Sequence, residues 1–233
     1  MSRSVLLALG LVGCEAIEST EVGTDAIYAD FAATSDGSST HATAFLRLGG
    51  GTSNTFVDLE GDDRLTVSSG EQTVEMSEAN IGEIYGYDAD LDVFAEDSEL
   101  VFSLERTIDA GAPESSCTLP ALFELSAPAA DAAFSRDGDP LTISWTPSGE
   151  QDAIRILVVG DCFWAATLDV SGDPGSYVVE PGTLVDLDPD NPTACDATIT
   201  VQRRRSGNLD AGYGEGGSIF GIQARQVGIR SDP

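Results

Sequence analysis

The sequence predicts an all-β protein built as two β-sandwich domains in tandem. Apolar residues recur at every second position over short runs, as they do along half-buried strands. Clusters of Gly, Asp, Asn and Ser separate those runs, and turns favour these residues. No stretch sustains an apolar repeat of 3.6 residues, so long helices are not expected. The 233 residues suffice for two cores of roughly 100 residues each.

In the first half, residues 25–110, Ile27, Ala29 and Phe31 share one face of a strand, and Ala44, Leu46 and Leu48 share a face of the next. Val57/Leu59, Leu65/Val67 and Val74/Met76 mark brief strands, and Leu100, Phe102 and Leu104 make the clearest one. Residues 111–120, small, polar and containing Pro113 and Pro120, read as a linker. The second half, residues 121–233, restarts at Leu122. It continues through Leu141-Thr-Ile143-Ser-Trp145, Ala153–Val159, Ser176–Val179, Cys195–Gln202 and Ser218–Arg230. In that last run the apolar parity changes between Ala224 and Val227, which predicts a β-bulge near Gln226.

Forty acids face eleven arginines and no lysine, a formal charge of −29. A chain with that field does not bind nucleic acid, and it has no polybasic hold on anionic lipid. The acid is concentrated early: 23 carboxylates against three arginines from Cys14 to Ser116, then 17 against seven. A hydrated, soluble surface accounts for it without a ligand.

The chain opens Met1-Ser-Arg3-Ser, followed by an apolar run from Val5 to Gly13 that is too short to cross a bilayer and reads as a targeting segment. Leu11-Val12-Gly13-Cys14 resembles the lipobox of bacterial lipoproteins. The resemblance implies cleavage after residue 13 and acylation of Cys14. Glu15 rather than Asp after that cysteine implies the outer membrane, at its periplasmic face or the cell surface. The membrane partner is then reached through the acyl chains, and residues 14–24 read as an acidic tether.

Leu-x-Ile-x-Trp-x-Pro at residues 141–147 resembles the second strand of fibronectin type III and related Ig-like sandwiches, in which the tryptophan is a core residue. The usual tyrosine of the penultimate strand is absent, since Ala197, Ile199 and Val201 occupy that stretch. The mature chain is also similar to a group of uncharacterised proteobacterial surface lipoproteins, on Gly50–Val57, the Trp145 strand, Gly214–Ile219 and Ala224–Val227. No activity comes with that resemblance. In an exported chain Cys117, Cys162 and Cys195 meet an oxidising compartment. The Ig-like strand order implies Cys162–Cys195 and leaves Cys117 over; Cys117–Cys162 and Cys117–Cys195 are the competing pairs.

No catalytic, metal or cofactor residue is assigned. His41 is the lone histidine, with no Gly-x-Ser-x-Gly elbow to accompany it, and the absence of lysine excludes Schiff-base chemistry and a Walker-type loop. Asp88, Asp90, Asp92 and Glu99 have EF-hand spacing, but Val93 stands where the loop glycine belongs, and a solvent-facing strand explains them better. Asp186, Asp188 and Asp190 form a second ladder, stiffened by prolines, on which calcium is the weaker reading. Arg203-Arg204-Arg205 and the Gly-rich segment around Tyr213 read as a solvated strand end and hairpin loop. The sharper alternative makes them a recognition loop with Tyr213 as contact aromatic. The expectation is a non-enzymatic surface lipoprotein with a binding, adhesion or envelope-structural role and a protein or glycan partner. The alternative is a calcium- or glycan-binding module using the acidic loops.

Overall fold

The computed structural model describes residues 15–82, 84–147, 149 and 152–233. The leader and Cys14 lie outside the described residues. The first-half strands are β1 (Glu15–Glu18), β2 (Ile27–Ser35), β3 (Thr40–Leu48), β4 (Thr55–Asp58), β5 (Arg64–Ser69), β6 (Gln72–Glu75), β7 (Ser77–Ile81), β8 (Ile84–Leu91), β9 (Glu99–Glu105) and β10 (Ala112–Thr118). The second half supplies β11 (Leu125–Ala127), β12 (Ala133–Ser135), β13 (Leu141–Trp145), β14 (Ala153–Gly160), β15 (Ala166–Val170), β16 (Ser176–Val179), β17 (Cys195–Ser206) and β18 (Gly217–Asp232). Apart from two short 3-10 turns, Ser19–Glu21 and Thr24–Ala26, the regular structure of the described residues is all strand.

One sheet of eleven strands runs through the molecule in the order β1-β4-β3-β2-β18-β17-β14-β15, with β7, β8 and β12 attached beside that path. Its first part packs on the four-stranded sheet β10-β9-β5-β6, and its second part on the three-stranded sheet β11-β13-β16. Phe31 stacks on Phe102 at 4.8 Å across the first core, which also holds Ile27, Leu46, Leu65 and Leu100. Trp145, Ile143, Ile156, Phe163 and Ile199 fill the second. Each such side chain contributes about 1.5–3 kcal/mol on burial, so alternation of the inward residues is what makes these segments strands.

The two cores are not sequential beads, because the β17–β18 hairpin serves both. β18 pairs in parallel with β2 over Gly217–Gln223, and its far end, Arg230–Asp232, pairs with β12. Tyr213 and Ile219, from the second half of the chain, are members of the first core. The division into residues 25–110 and 121–233 is therefore corrected, since the first core is completed by the C-terminal hairpin.

Three local expectations are corrected with it. The expected linker is β10, paired with β9 from Thr118↔Glu99 to Ala112↔Leu104. Its small inward residues fit a close approach: a Cβ on Gly221 would lie 2.0 Å from the Thr118 carbonyl oxygen. Gly217, at φ 144°, allows a similar approach to the Ala29 carbonyl. The expected tether starts with β1, paired in parallel to β4, and goes on through buried Ser19 and Thr24. The bulge near Gln226 is absent, as β17 and β18 keep one register from Cys195↔Ser231 to Ser206↔Phe220. The odd positions Ile219, Gln223, Ile229 and Ser231 are buried, and Arg225 and Val227 between them half-buried. Phe220 belongs to the opposite face, where the Arg204 guanidinium covers its ring at 4.1 Å.

Burial of those turns follows from Arg106. Its side chain is fully buried and donates to Asp63 at 3.0 Å, to Thr24 Oγ1, and to the carbonyls of Ser19 and Val22. Burial alone would raise the Asp63 pKa, but hydrogen bonds from Thr107 N–H, Ser19 and Arg106 outweigh it and lower the value from 3.8. A carboxyl with a depressed folded pKa stabilises above its unfolded value, and that stability is lost as pH falls through the folded one. The stability gap between wild type and Asp63→Asn is thus expected to persist from neutral pH to the ordinary carboxylate range, then close on further acidification. Urea unfolding across pH checks this; a gap that widens on acidification contradicts the assignment.

Candidate functional site

Several sequence-marked residues have structural places. His41 stands on the outer face of the large sheet, opposite Asp90 on β8, with Nδ1 2.9 Å from Asp90 and Nε2 3.8 Å from Asp88. Among the described residues no hydroxyl is hydrogen-bonded to its ring, so no nucleophile is aligned with it. Asp88 and Asp90 are the solvent side of β8, whereas Glu99 begins β9 in the other sheet, so the EF-hand spacing does not gather one site. No group of three or more His, Cys, Asp or Glu side chains suited to a metal occurs among the described residues.

Arg203-Arg204-Arg205 is corrected from a solvated strand end. Arg203 is completely buried, Arg205 pairs Asp152 at 2.9 Å and Asp97 at 2.7 Å, and Arg204 lies over Phe220. Tyr213 is no contact aromatic, being 4% exposed and edge-on to Phe31 at 5.8 Å. Burial raises its phenol pKa. The Gly-rich segment is folded onto the first core rather than offered to a partner.

Cys117 is free and buried, and burial, with a smaller push from Glu99, raises its thiol to about 12. A thiolate is the reactive form. Iodoacetamide at mildly alkaline pH is expected to leave Cys117 unmodified in the native protein and to label it in urea. Equal labelling in both states would refute its burial.

At the seam between the cores, a groove of about 660 Å³ is lined by Leu122, Phe123, Glu124, Thr146, Asp36, Gly37 and Arg225. A second of about 340 Å³, with Thr34, Ser39 and His41, lies on the other side of Arg225. The Arg225 guanidinium rests 5.3 Å from the Phe123 ring centroid and donates to the Ala224 carbonyl at 2.6 Å. The Ala224 carbonyl and the Phe123 ring therefore occupy it, and Asp36 brings a carboxylate into both grooves.

The most distinctive surface is at the end of the second core remote from the first. Cys162, just after β14, is bridged to Cys195 at the start of β17, with Cα atoms 5.8 Å apart. That matches the pair implied by the Ig-like order, and β14 and β17 are sheet neighbours. Residues 162–164 then run antiparallel to 185–187. Trp164 N–H donates to Val185 O at 2.9 Å, Leu187 N–H to Cys162 O at 3.1 Å, and Phe163 faces Asp186.

Alternation sorts this short ladder into two faces. Phe163, 1% exposed, and Asp186 turn inward to buried Arg136, whose guanidinium pairs Asp186 and stands 5.8 Å from the Phe163 ring. The same fork donates to Thr193 O at 2.9 Å and to Ser231 Oγ at 3.0 Å. Outward go Trp164, Val185 and Leu187, at 65%, 54% and 45% exposure. Asp186 is thus committed to Arg136, and the Asp186–Asp188–Asp190 ladder does not present three oxygens to one ion. Sequence reading missed Trp164. Its available signal was two successive large aromatics directly after a strand-ending cysteine, where alternation must send one outward.

These features define a class: an all-β protein with two sheet-on-sheet cores on one shared sheet and an exposed apolar ladder at one end. No family model matches the chain, and no curated protein matches it. Among solved structures, the chain is similar to the FN1–FN3 domains of chicken CNTN1, at 14% identity and TM-score 0.25, covering 88% of this chain and spanning 66% of that fragment. It is similar to a two-fibronectin-type-III-domain segment of chicken tenascin, at 16% identity and TM-score 0.24, covering 89% of this chain and 99% of that one. A cytokine receptor complex chain gives 14% identity and TM-score 0.26, with coverages of 85% and 94%.

Proposed function

We propose that the chain is a non-enzymatic lipoprotein of the outer membrane, cleaved after residue 13 and acylated at Cys14, whose Ig/fibronectin type III-like sandwiches present a binding end to a surface partner. The observation that carries the reading is the Trp164–Val185–Leu187 ladder, three large apolar side chains held in water on a backbone fixed by a disulfide and a buried arginine. Contiguous exposed apolar surface of this kind marks interaction sites. Two features suit the anchored arrangement. β1 begins at Glu15, so an acyl-Cys14 joins directly to the first core. The twelve residues of β17 then separate the Gly-rich turn, folded on that core, from Cys195 by about 36 Å at ~3.3 Å per residue. A body braced by one continuous sheet keeps its binding end at a set distance from the bilayer.

Two measurements in intact cells test the reading. Labelled palmitate is expected to enter the protein and be lost in Cys14→Ser, together with outer-membrane fractionation. A photo-crosslinking residue at position 164 is expected to give a defined product that the same residue at position 71 does not. Retained labelling in Cys14→Ser overturns the anchor, and equal products at both positions overturn the binding end. His41→Ala is expected to leave the phenotype unchanged.

A further inference from the structure

We infer that the Trp164 ladder, with the free edge of β15 beside it, docks an extended cationic segment of a partner protein, one in which Lys or Arg alternates with apolar residues. The inference rests on the binding-end reading above and names the chemistry of its partner.

Four observations lead there. Trp164, Val185 and Leu187 project from one side of the ladder, and Trp164 lies two residues before β15. β15 is the last strand on its side of the large sheet and, among the described residues, pairs only with β14, so its outer backbone N–H and C=O groups are open to an added strand. A strand added there would continue past the indole. Asp161, Asp188 and Asp190, in the same two loops, are exposed and make no ion pair among the described residues. The surface is also preorganised by Cys162–Cys195 and by the Arg136 fork, so little ordering cost accompanies docking.

Charge decides between occupants. A second copy brings the same three carboxylates and a chain of net charge −29, and an anionic leaflet brings more negative charge. A cationic segment meets complementary charge at the rim and an apolar centre, and its ammonium or guanidinium groups can lie against the indole face.

The chain has two tryptophans, and Trp145 is buried, so the exposed emission belongs to Trp164. The full chain, in nonionic detergent, is titrated with a ten-residue Lys–Val alternating peptide. The controls are a Glu–Val peptide of equal length and a neutral chito-oligosaccharide. The Lys–Val peptide is expected to blue-shift the emission at low salt and to bind about tenfold more weakly once added salt shortens the Debye length to a few ångströms. Trp164→Ala should abolish the shift, and binding followed by calorimetry should fall at least about tenfold. Neutralising the rim with Asp161→Asn, Asp188→Asn and Asp190→Asn should do the same. Glu71→Gln, Glu75→Gln and Glu78→Gln, an equal charge change on the first core, should leave affinity within about twofold.

The inference is overturned if the two triple variants lose affinity equally, if the Glu–Val peptide binds as well, or if the emission shift follows dimerisation in sedimentation. An emission shift with the oligosaccharide alone overturns the cationic segment and leaves the binding end standing. Loss of position-specific crosslinking in cells strikes the binding end itself.

Discussion

Replacing Arg203 with methionine is expected to destabilise the protein by about 3–5 kcal/mol, the cost of breaking a buried ion pair from one side. Arg203 is fully buried at the junction of the two cores. Its guanidinium donates to Ala121 O at 2.7 Å, Leu122 O at 3.2 Å and Thr146 O at 2.6 Å, and pairs Asp173 at 2.8 Å. The carbonyls of Ala121 and Leu122 belong to the chain crossing between the cores. Asp173 in turn accepts the indole N–H of Trp145 at 2.6 Å, so one ionic contact holds the crossing chain, the core tryptophan and β17 together. Methionine fills the volume and supplies no donor, leaving a buried carboxylate without its guanidinium. Arg203→Lys keeps the charge but not the fork, and an intermediate loss is expected. Arg230→Met, at a half-exposed arginine paired with 93%-exposed Asp196, should cost less than about 0.5 kcal/mol. Urea unfolding by far-UV circular dichroism and tryptophan emission checks all three. Coincident transitions are expected, because one hairpin carries both cores. A loss for Arg203→Met no larger than for Arg230→Met would refute the account.

Removing the disulfide with Cys162→Ala and Cys195→Ala is expected to cost about 4 kcal/mol on the loop-closure estimate for a separation of 33 residues. For a chain of this length that corresponds to a fall in Tm of about 10 °C. The bridge also has a local consequence, because it fixes the end of the ladder that carries Trp164. In the double variant the anisotropy of Trp164 emission is expected to fall below that of the native protein at temperatures where the fold persists. Dithiothreitol should reproduce both effects in the wild type and add nothing to the double variant. An unchanged melting temperature after verified reduction would show that the surrounding packing, not the bridge, sets the stability of this end.

Much of the strand content was legible because most strands see one core. Leu100-Phe102-Leu104 and Leu141-Ile143-Trp145 alternate cleanly, and both are buried on the expected face. Residues 111–120 misled because their small side chains are selected by what lies opposite. β10 is pressed against the hairpin at Gly207 and Gly221, where larger inward residues do not fit. The parity change in β18 misled for a related reason: near the seam the strand is covered on both faces, so apolar residues of both parities are buried without any bulge. The arginine run carried no burial signal at all, since Arg203 and Arg230 look alike until the carbonyls and carboxylates that surround each are in place. Trp164 was hidden by the opposite effect. Ladder partners 185–187 lie about twenty residues away and alone decide which aromatic of the Phe163-Trp164 pair faces water.

The sequence by itself determined that this is an all-β chain, strongly acidic and without lysine, whereas the Ig-like resemblance only implied the Cys162–Cys195 bridge over two competing pairs and the structure shows it. Alternation, charge and turn chemistry are local properties, written into adjacent residues. Only the tertiary structure decided that the two cores share a sheet, that Arg106, Arg136 and Arg203 are internal braces, and that Trp164 is exposed while Tyr213 is buried. The reason is range. β18 closes the first core by pairing with β2 nearly the whole chain away, and a parallel pairing at that separation leaves no periodic trace in either segment.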